Sequence, residues 1–262
     1  MKKNQVLTLL VVLVMIGAVL AGCGESKTIK IGTIQSISGP VSTYGIQTRD
    51  AIQMAVDEIN AKGGVLGKQL ELIVEDDEAS PDKTTNAFKK LVAKDKVTAV
   101  IGALISKCTL AITKEAQAKK VVLLTPTSTN DTVTDAGDYI FMACYNDSFQ
   151  GQVGAQFAYE TLRAKKAAIL YDITNDYSKG LATNFQDKFE SLGGTIVASE
   201  SYSAGDKDFN AQLTKIKAAK PEVLFIPDYY NTVSLIAKQV KSQGLNVTML
   251  GADGWDEITT NA

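Results

Sequence analysis

Two α/β lobes joined by a crossover, each a parallel sheet flanked by helices, form the architecture this sequence predicts. Three observations carry it. Strand and helix patterns alternate from Ile29 onward. Val97 to Gly102 is apolar almost throughout, as a strand covered on both faces must be. The alternation breaks once, between Thr125 and Ser148, and then resumes with the same rhythm. Apolar residues make up 45% of the 262 positions, enough for two cores.

The elements follow in order. Ile29 to Ile34 reads as a strand, and the Gly/Ser loop Gln35 to Pro40 follows it. A helix is predicted from about Thr43 to Ala61, with Ala51, Ile52, Ala55, Val56 and Ile59 on its apolar face and Gly63-Gly64 as its stop. Gln69 to Glu75 is the next strand. Pro81 stands where the first turn of a helix tolerates it, and Phe88, Leu91 and Val92 give that helix its apolar side. The strand Val97 to Gly102, a helix from Lys107 to Ala118 and a strand from Val121 to Leu124 complete a first block. Polar residues then cluster around one short apolar piece, Tyr139 to Ala143, and the passage between lobes is placed there. Phe149 to Arg163 opens the second block. Its strands are Ala167 to Tyr171, Thr195 to Glu200, Glu222 to Ile226 and Val247 to Leu250. Its helices are Ser178 to Leu192, Asp208 to Ala219 and Thr232 to Gln243, with Gly193-Gly194 and Gly244 as stops. The lobes so divided are 29–145 and 146–262.

Composition narrows the chemistry. The chain has no histidine, which removes the usual general base of hydrolases and the commonest zinc ligand. There is no GxGxxG or Walker motif, and no nucleophile is paired with a base. A net charge of -2 gives no reason to expect nucleic acid as a partner. No cofactor and no metal is called for, and Asp76-Asp77-Glu78 reads as a solvated acidic loop. Cys108 and Cys144 read as two small buried thiols, with a single bridge as the alternative.

At the start of the chain, Lys2 and Lys3 precede an apolar run from Val6 to Leu20, closed by Leu20-Ala21-Gly22-Cys23. The layout is that of a secretory signal over residues 1–22. Its end resembles the lipobox of bacterial lipoproteins, which implies that Cys23 is lipidated and tethers the mature chain through a linker, 23–28, to the bacterial membrane. An extracytoplasmic location follows. A membrane span is the competing reading, disfavoured by the shortness of the run and the lack of a stop-transfer cluster.

In open parallel sheets ligands bind beyond the carboxyl ends of the strands. That rule selects Ser36 to Gly45, Ala103 to Lys107 and Thr125 to Thr129 in the first lobe. In the second it selects Asp172 to Ser178, Pro227 to Asn231 and Gly251 to Trp255. Ser106, between a strand and a helix, is a candidate anion site and equally a plain N-cap. Thr125 to Thr129 offers hydroxyls, or is merely a solvated turn. Tyr177, Tyr229, Tyr230 and Trp255 suggest aromatic walls. Asp253 is a candidate counter-charge for a cation, or an ordinary turn aspartate.

These pieces, in order and spacing, resemble the substrate-binding proteins of branched-chain amino acid ABC importers. That is the leucine/isoleucine/valine-binding type, built as two Rossmann-like lobes in the type I periplasmic-binding fold. The segments that carry the resemblance include Ile31-Gly32 through Ser38-Gly39-Pro40 to Tyr44-Gly45, and Ala55 to Asn60 with Gly63-Gly64 behind it. Val100-Ile101-Gly102 with Ser106, Thr125 to Thr129, Asp147 to Gly151, Tyr177 to Gly180 and Gly251 to Gly254 continue it. The resemblance implies that Ser106 and the Thr129 amide bind a ligand α-carboxylate, helped by the backbone around Tyr229. It implies that the Thr127 carbonyl, the Thr129 hydroxyl and Asp253 receive an α-ammonium. Tyr44, Leu104, Ile105 and Tyr177 would line an apolar side-chain pocket suited to an aliphatic amino acid. The expected partners are that amino acid and an ABC permease, with the receptor a monomer. A receptor or sensor for an amide or aromatic acid is the alternative from the same fold, and an enzyme on a doubly wound sheet is the rival from another class. Family members are longer, so the resemblance also implies that the second lobe and the hinge are incomplete at Ala262.

Overall fold

The computed structural model describes residues 28–261. The expected signal segment, Cys23 and nearly all of the linker lie outside the described residues. The first sheet contains β1 (Thr28–Gln35), β2 (Gln69–Asp76), β3 (Ala99–Gly102), β4 (Val122–Thr125) and β5 (Ile140–Met142) in the order β2-β1-β3-β4-β5. The second contains β6 (Lys166–Asp172), β7 (Thr195–Tyr202), β8 (Val223–Phe225) and β9 (Thr248–Leu250) in the order β7-β6-β8-β9. Every neighbouring pair is parallel. Helices α1 (Ser42–Ala61), α2 (Pro81–Lys89) and α3 (Ser106–Lys119) cross over the first sheet. Helix α4 (Asp147–Gln156) opens the second lobe, followed by α5 (Asp176–Ser191), α6 (Asn210–Ala219), α7 (Tyr230–Ser242) and the short α8 (Ile258–Asn261). The fold is the two-lobed α/β arrangement the sequence predicts.

Each lobe builds its own core. In the first, Ile34, Val100 and Leu123 of the strands meet Phe88, Leu91, Cys108 and Ile112 of the helices. The second sheet is covered on both faces: Ile169 and Phe225 face Phe185 and Phe189, while Leu170 and Leu224 face Leu213 and Ile236. Both-sided burial is why β6 and β8 read as unbroken apolar runs. Leu91 packs so closely on β1 that a Cβ at Gly32 would lie 2.9 Å from its Cδ1.

Four expectations need correction. The apolar piece around Tyr139 is not part of an irregular passage. It is β5, paired in parallel with β4, and the crossover is the short segment 143–146 before α4. Helix α1 buries Val56 and half-buries Ile52, but Ala51, Ala55 and Ile59 face solvent, because the helix meets the sheet along a narrower strip than its apolar stripe. The helix after Pro81 tightens into α2 and then widens into a π-helical turn, Lys90–Asp95, which a pattern of period 3.6 does not reveal.

The fourth correction concerns the acidic loop. Asp77 is completely buried. Its Oδ1 accepts the Ser36 hydroxyl at 2.6 Å and the Ala79 amide at 3.0 Å, and its Oδ2 accepts the Thr84 hydroxyl at 2.8 Å. Asp76 accepts the Ser38 hydroxyl at 2.6 Å and the Ile37 amide at 3.1 Å. The two carboxylates therefore fasten the loop after β1 to the loop after β2. Helix α1 presses on the same loop so tightly that a Cβ at Gly45 would stand 2.0 Å from the Ser36 carbonyl oxygen. Glu78 alone is solvated, paired with Lys83 at the surface.

Removing the Asp77 carboxylate takes a shared acceptor from two buried hydroxyls and an amide: the Thr84 hydroxyl and the Ala79 amide keep second contacts, to the Ser80 carbonyl at 2.8 Å and the Ser36 hydroxyl at 3.1 Å, while the Ser36 hydroxyl loses its acceptor. Asp77→Ala should therefore cost roughly 2–4 kcal/mol of stability, against under about 1 kcal/mol for Glu78→Ala. Urea denaturation midpoints of the two variants test the ranking, and equal midpoints would refute it.

Candidate functional site

The carboxyl ends of β3 and β4 deliver the first half of the site. The segment after β3 carries Leu104, Ile105 and Ser106, all buried. Ile105 is the residue that precedes α3, and Ser106 is its first helical residue, so the N-cap reading of Ser106 does not hold. Its hydroxyl instead accepts the Asn130 amide at 3.3 Å. The loop after β4 is no solvated turn either. Thr125, Ser128 and Thr129 are buried. The Thr125 hydroxyl donates to the Ala103 carbonyl at 3.1 Å, and the Thr127 hydroxyl donates to the Leu104 carbonyl at 2.6 Å. The two loops are thus stitched into one rigid platform.

The second lobe supplies an acid and two stacked rings. Tyr177, next to the start of α5, is 2% exposed, and its ring stacks on Tyr229 with centroids 4.9 Å apart and planes 9° from parallel. The Tyr177 hydroxyl donates to Asp253 Oδ1 at 2.6 Å and accepts the Gly254 amide at 2.9 Å. The Asp253 amide donates to Gln150 Oε1 at 3.3 Å. Burial pushes the Asp253 carboxyl above the ordinary range, while the Tyr177 and Gln150 contacts pull it down. A partly desolvated acid of this kind gains most from a cationic partner.

A cavity of about 220 Å³ lies between the two halves. Tyr44, Leu104, Ile105, Ser106 and Thr127 line it from the first lobe. Tyr177, Tyr229 and Asp253 line it from the second. Asp253 and Ser106 therefore face the same space. Thr129 does not reach the cavity surface; it lies behind the wall, 1% exposed. Trp255 turns away, its indole donating to the Ile226 carbonyl at 2.8 Å within the second core. Tyr230 points toward α1 and meets the Tyr44 ring edge to face.

Sequence reasoning missed Gln47, Thr48 and Asp256, which complete the cavity rim. They are ordinary polar residues on α1 and after β9, and no spacing marks them. It also passed over Asp147, whose place in the first turn of a helix hides its setting. Asp147 is fully buried, and neither its Oδ2 nor the Thr129 hydroxyl oxygen has a hydrogen-bond partner. Burial raises the Asp147 carboxyl to about 7, aided by the nearby Asp253 and Asp131 and opposed by the Gln150 amide, which donates to its Oδ1 at 3.3 Å. The two cysteines of the lobes are free thiols. Burial pushes Cys108 up to about 12 and Cys144 up to about 11. No group of three or more acidic, cysteine or histidine side chains able to hold a metal occurs among the described residues.

Asp147 predicts a pH dependence. An acid whose folded pKa lies above its unfolded value of 3.8 favours folding fully below about pH 4, and that advantage is lost as the pH rises to about 7. Asp147→Asn should flatten this decline and leave the variant about 1–3 kcal/mol more stable than wild type at pH 8. Denaturation curves between pH 4 and 8 read it directly. Parallel pH profiles would show that Asp147 ionises freely.

Comparison with known proteins gives a consistent picture. A family model described as "Periplasmic binding protein" matches residues 28–261. The Leu/Ile/Val-binding protein BraC3 of Rhizobium johnstonii is 34% identical over 227 residues, covering 86% of this chain and 61% of that protein. A leucine-binding protein from Thermotoga maritima superposes with a TM-score of 0.83 at 36% identity, over 87% of this chain and 64% of its own. A branched-chain amino acid transporter substrate-binding protein from Streptococcus pneumoniae, solved with isoleucine, gives 0.81 at 38% identity, over 87% and 65%. The chain thus spans about three fifths of the curated relative's length.

Proposed function

From its membership of the periplasmic binding protein family, we propose that this chain is an extracytoplasmic receptor that captures an amino acid between its lobes and hands it to an ABC permease. The observation that carries the reading is the pairing of opposite chemistries across one cavity. Ser106 and the start of α3 offer hydroxyl and amide donors on one side, and Asp253 offers a partly buried acid on the other. A zwitterion needs both before it can leave water. The walls between them, Tyr44, Leu104, Ile105 and the Tyr177–Tyr229 stack, suit an aliphatic side chain. A cavity of about 220 Å³ matches a metabolite rather than a larger ligand.

In this reading Ser106 binds the α-carboxylate, Thr127 and Asp253 hold the α-ammonium, and Thr129 backs the platform. The receptor works as a monomer without a cofactor and performs no chemistry on its ligand. It is tethered through lipid on Cys23; no helix among the described residues is long and apolar enough to cross a membrane.

Titration calorimetry of the protein against the amino acids tests the ligand class, with leucine, isoleucine and valine expected among the binders. Asp253→Asn should weaken leucine binding by roughly 2–5 kcal/mol, because it leaves a desolvated ammonium without its charged partner. Tyr44→Phe keeps the aromatic wall and should cost only about 1 kcal/mol. An unchanged affinity for Asp253→Asn would mean that the ammonium is held elsewhere. For the anchor, mass spectrometry of membrane-extracted protein from an expressing bacterium should find Cys23 as a lipidated N-terminus; an intact Met1 end would refute it.

A further inference from the structure

Helix α1 enters the fold at the lip of the cleft, and its first two turns reach across to the other lobe. The Tyr44 hydroxyl lies 2.8 Å from the Gly254 carbonyl oxygen and 2.8 Å from that of Asp256, where it can only donate. Gln47 Nε2 donates to Glu257 Oε1 at 2.8 Å. From the opposite side, the Tyr230 hydroxyl donates to Thr43 Oγ1 at 3.2 Å, and the Tyr44 and Tyr230 rings meet at 4.9 Å with an interplanar angle of 89°. The first turns of α1 and α7 thus face each other through a pair of tyrosines. Near the crossover a further contact spans the lobes, from Asn130 Nδ2 to the Asp176 carbonyl at 3.0 Å.

We propose that Tyr44 is a closure latch as well as a cavity wall: its ring bounds the cavity, while its hydroxyl is committed to the backbone of the opposite lobe. The two carbonyls it serves belong to the segment that carries Asp253, so the bonds exist only when that segment stands over the cavity. Separating the lobes hands both acceptors to water. Burial raises the Tyr44 phenol well above its ordinary range, so the hydroxyl keeps its proton and remains a donor at any physiological pH. The hydroxyl's proton is already engaged, so it adds nothing to discrimination between ligand side chains. Its effect falls on how long the lobes stay shut, and therefore on the rate at which a captured molecule leaves.

The kinetic test rests on the amino-acid reading above; a second test does not. In stopped-flow measurements with L-leucine and L-valine, Tyr44→Phe should raise the release rate of both ligands by about five- to tenfold while the association rate changes less than about twofold. Tyr230→Phe, which keeps the ring contact and loses only the longer bond to Thr43, should raise release by about twofold. Small-angle X-ray scattering of the ligand-free protein should give a larger radius of gyration for Tyr44→Phe than for wild type. Release rates unchanged, or changed for one ligand alone, overturn the latch, as do superimposable scattering curves. If wild type binds no amino acid, the functional reading fails and the scattering comparison still decides the latch.

Discussion

In a parallel sheet every strand delivers its carboxyl end to the same edge, and here nine strands among the described residues do so in two sheets. The loops that leave those edges line one cavity from both sides. This constraint, rather than any single bond, brings Ser106 and Asp253 together although they are far apart in the chain. Helix α3 starts directly behind β3, so its free amides point into the space the strand ends enclose. The loop after β9 carries Asp253 to that space from the second lobe.

Converging loops would make a loose site without support, and several buried polar groups provide it. Asp76 and Asp77 tie together the loops after β1 and β2. Thr125 and Thr127 bind the loop after β4 to the segment after β3. In the second lobe Asp228 takes the Tyr202 hydroxyl and the Tyr229 amide, fixing the backbone beneath one of the stacked rings. Apart from Thr127, these side chains do not line the cavity. They hold fixed the side chains that line it, as a preorganised site requires.

The alternation of elements was legible because it is periodic: buried strands read as apolar runs, and helices as stripes of period 3.6. Elements that escaped lacked a period. Strand β5 follows the 3-10 turn Asp131–Ala136 instead of an α-helix, so the strand–helix rhythm that marks the equally short β8 and β9 is missing there, and the π-helical turns break the helical register. Several helices end on lysines in the left-handed conformation, Lys96, Lys120 and Lys220, where composition would suggest glycine. The candidate site was legible to the extent that strand ends mark it. What could not be read was the direction of individual side chains. Trp255 and Tyr229 look alike in sequence, yet one turns into the core and the other onto the cavity. Asp77 and Asp253 are both acids after a strand, and only packing buries one as a fastener between loops and sets the other on the cavity wall.

The two thiols of the lobes have a consequence of another kind. Cys108 and Cys144 are unpaired, and their burial leaves almost no thiolate at neutral pH. No cross-link therefore joins these two positions, and packing, hydrogen bonds and surface ion pairs hold the lobes. The same native structure is accessible in a reducing and in an oxidising medium. These lobes carry no covalent record of the compartment in which they folded.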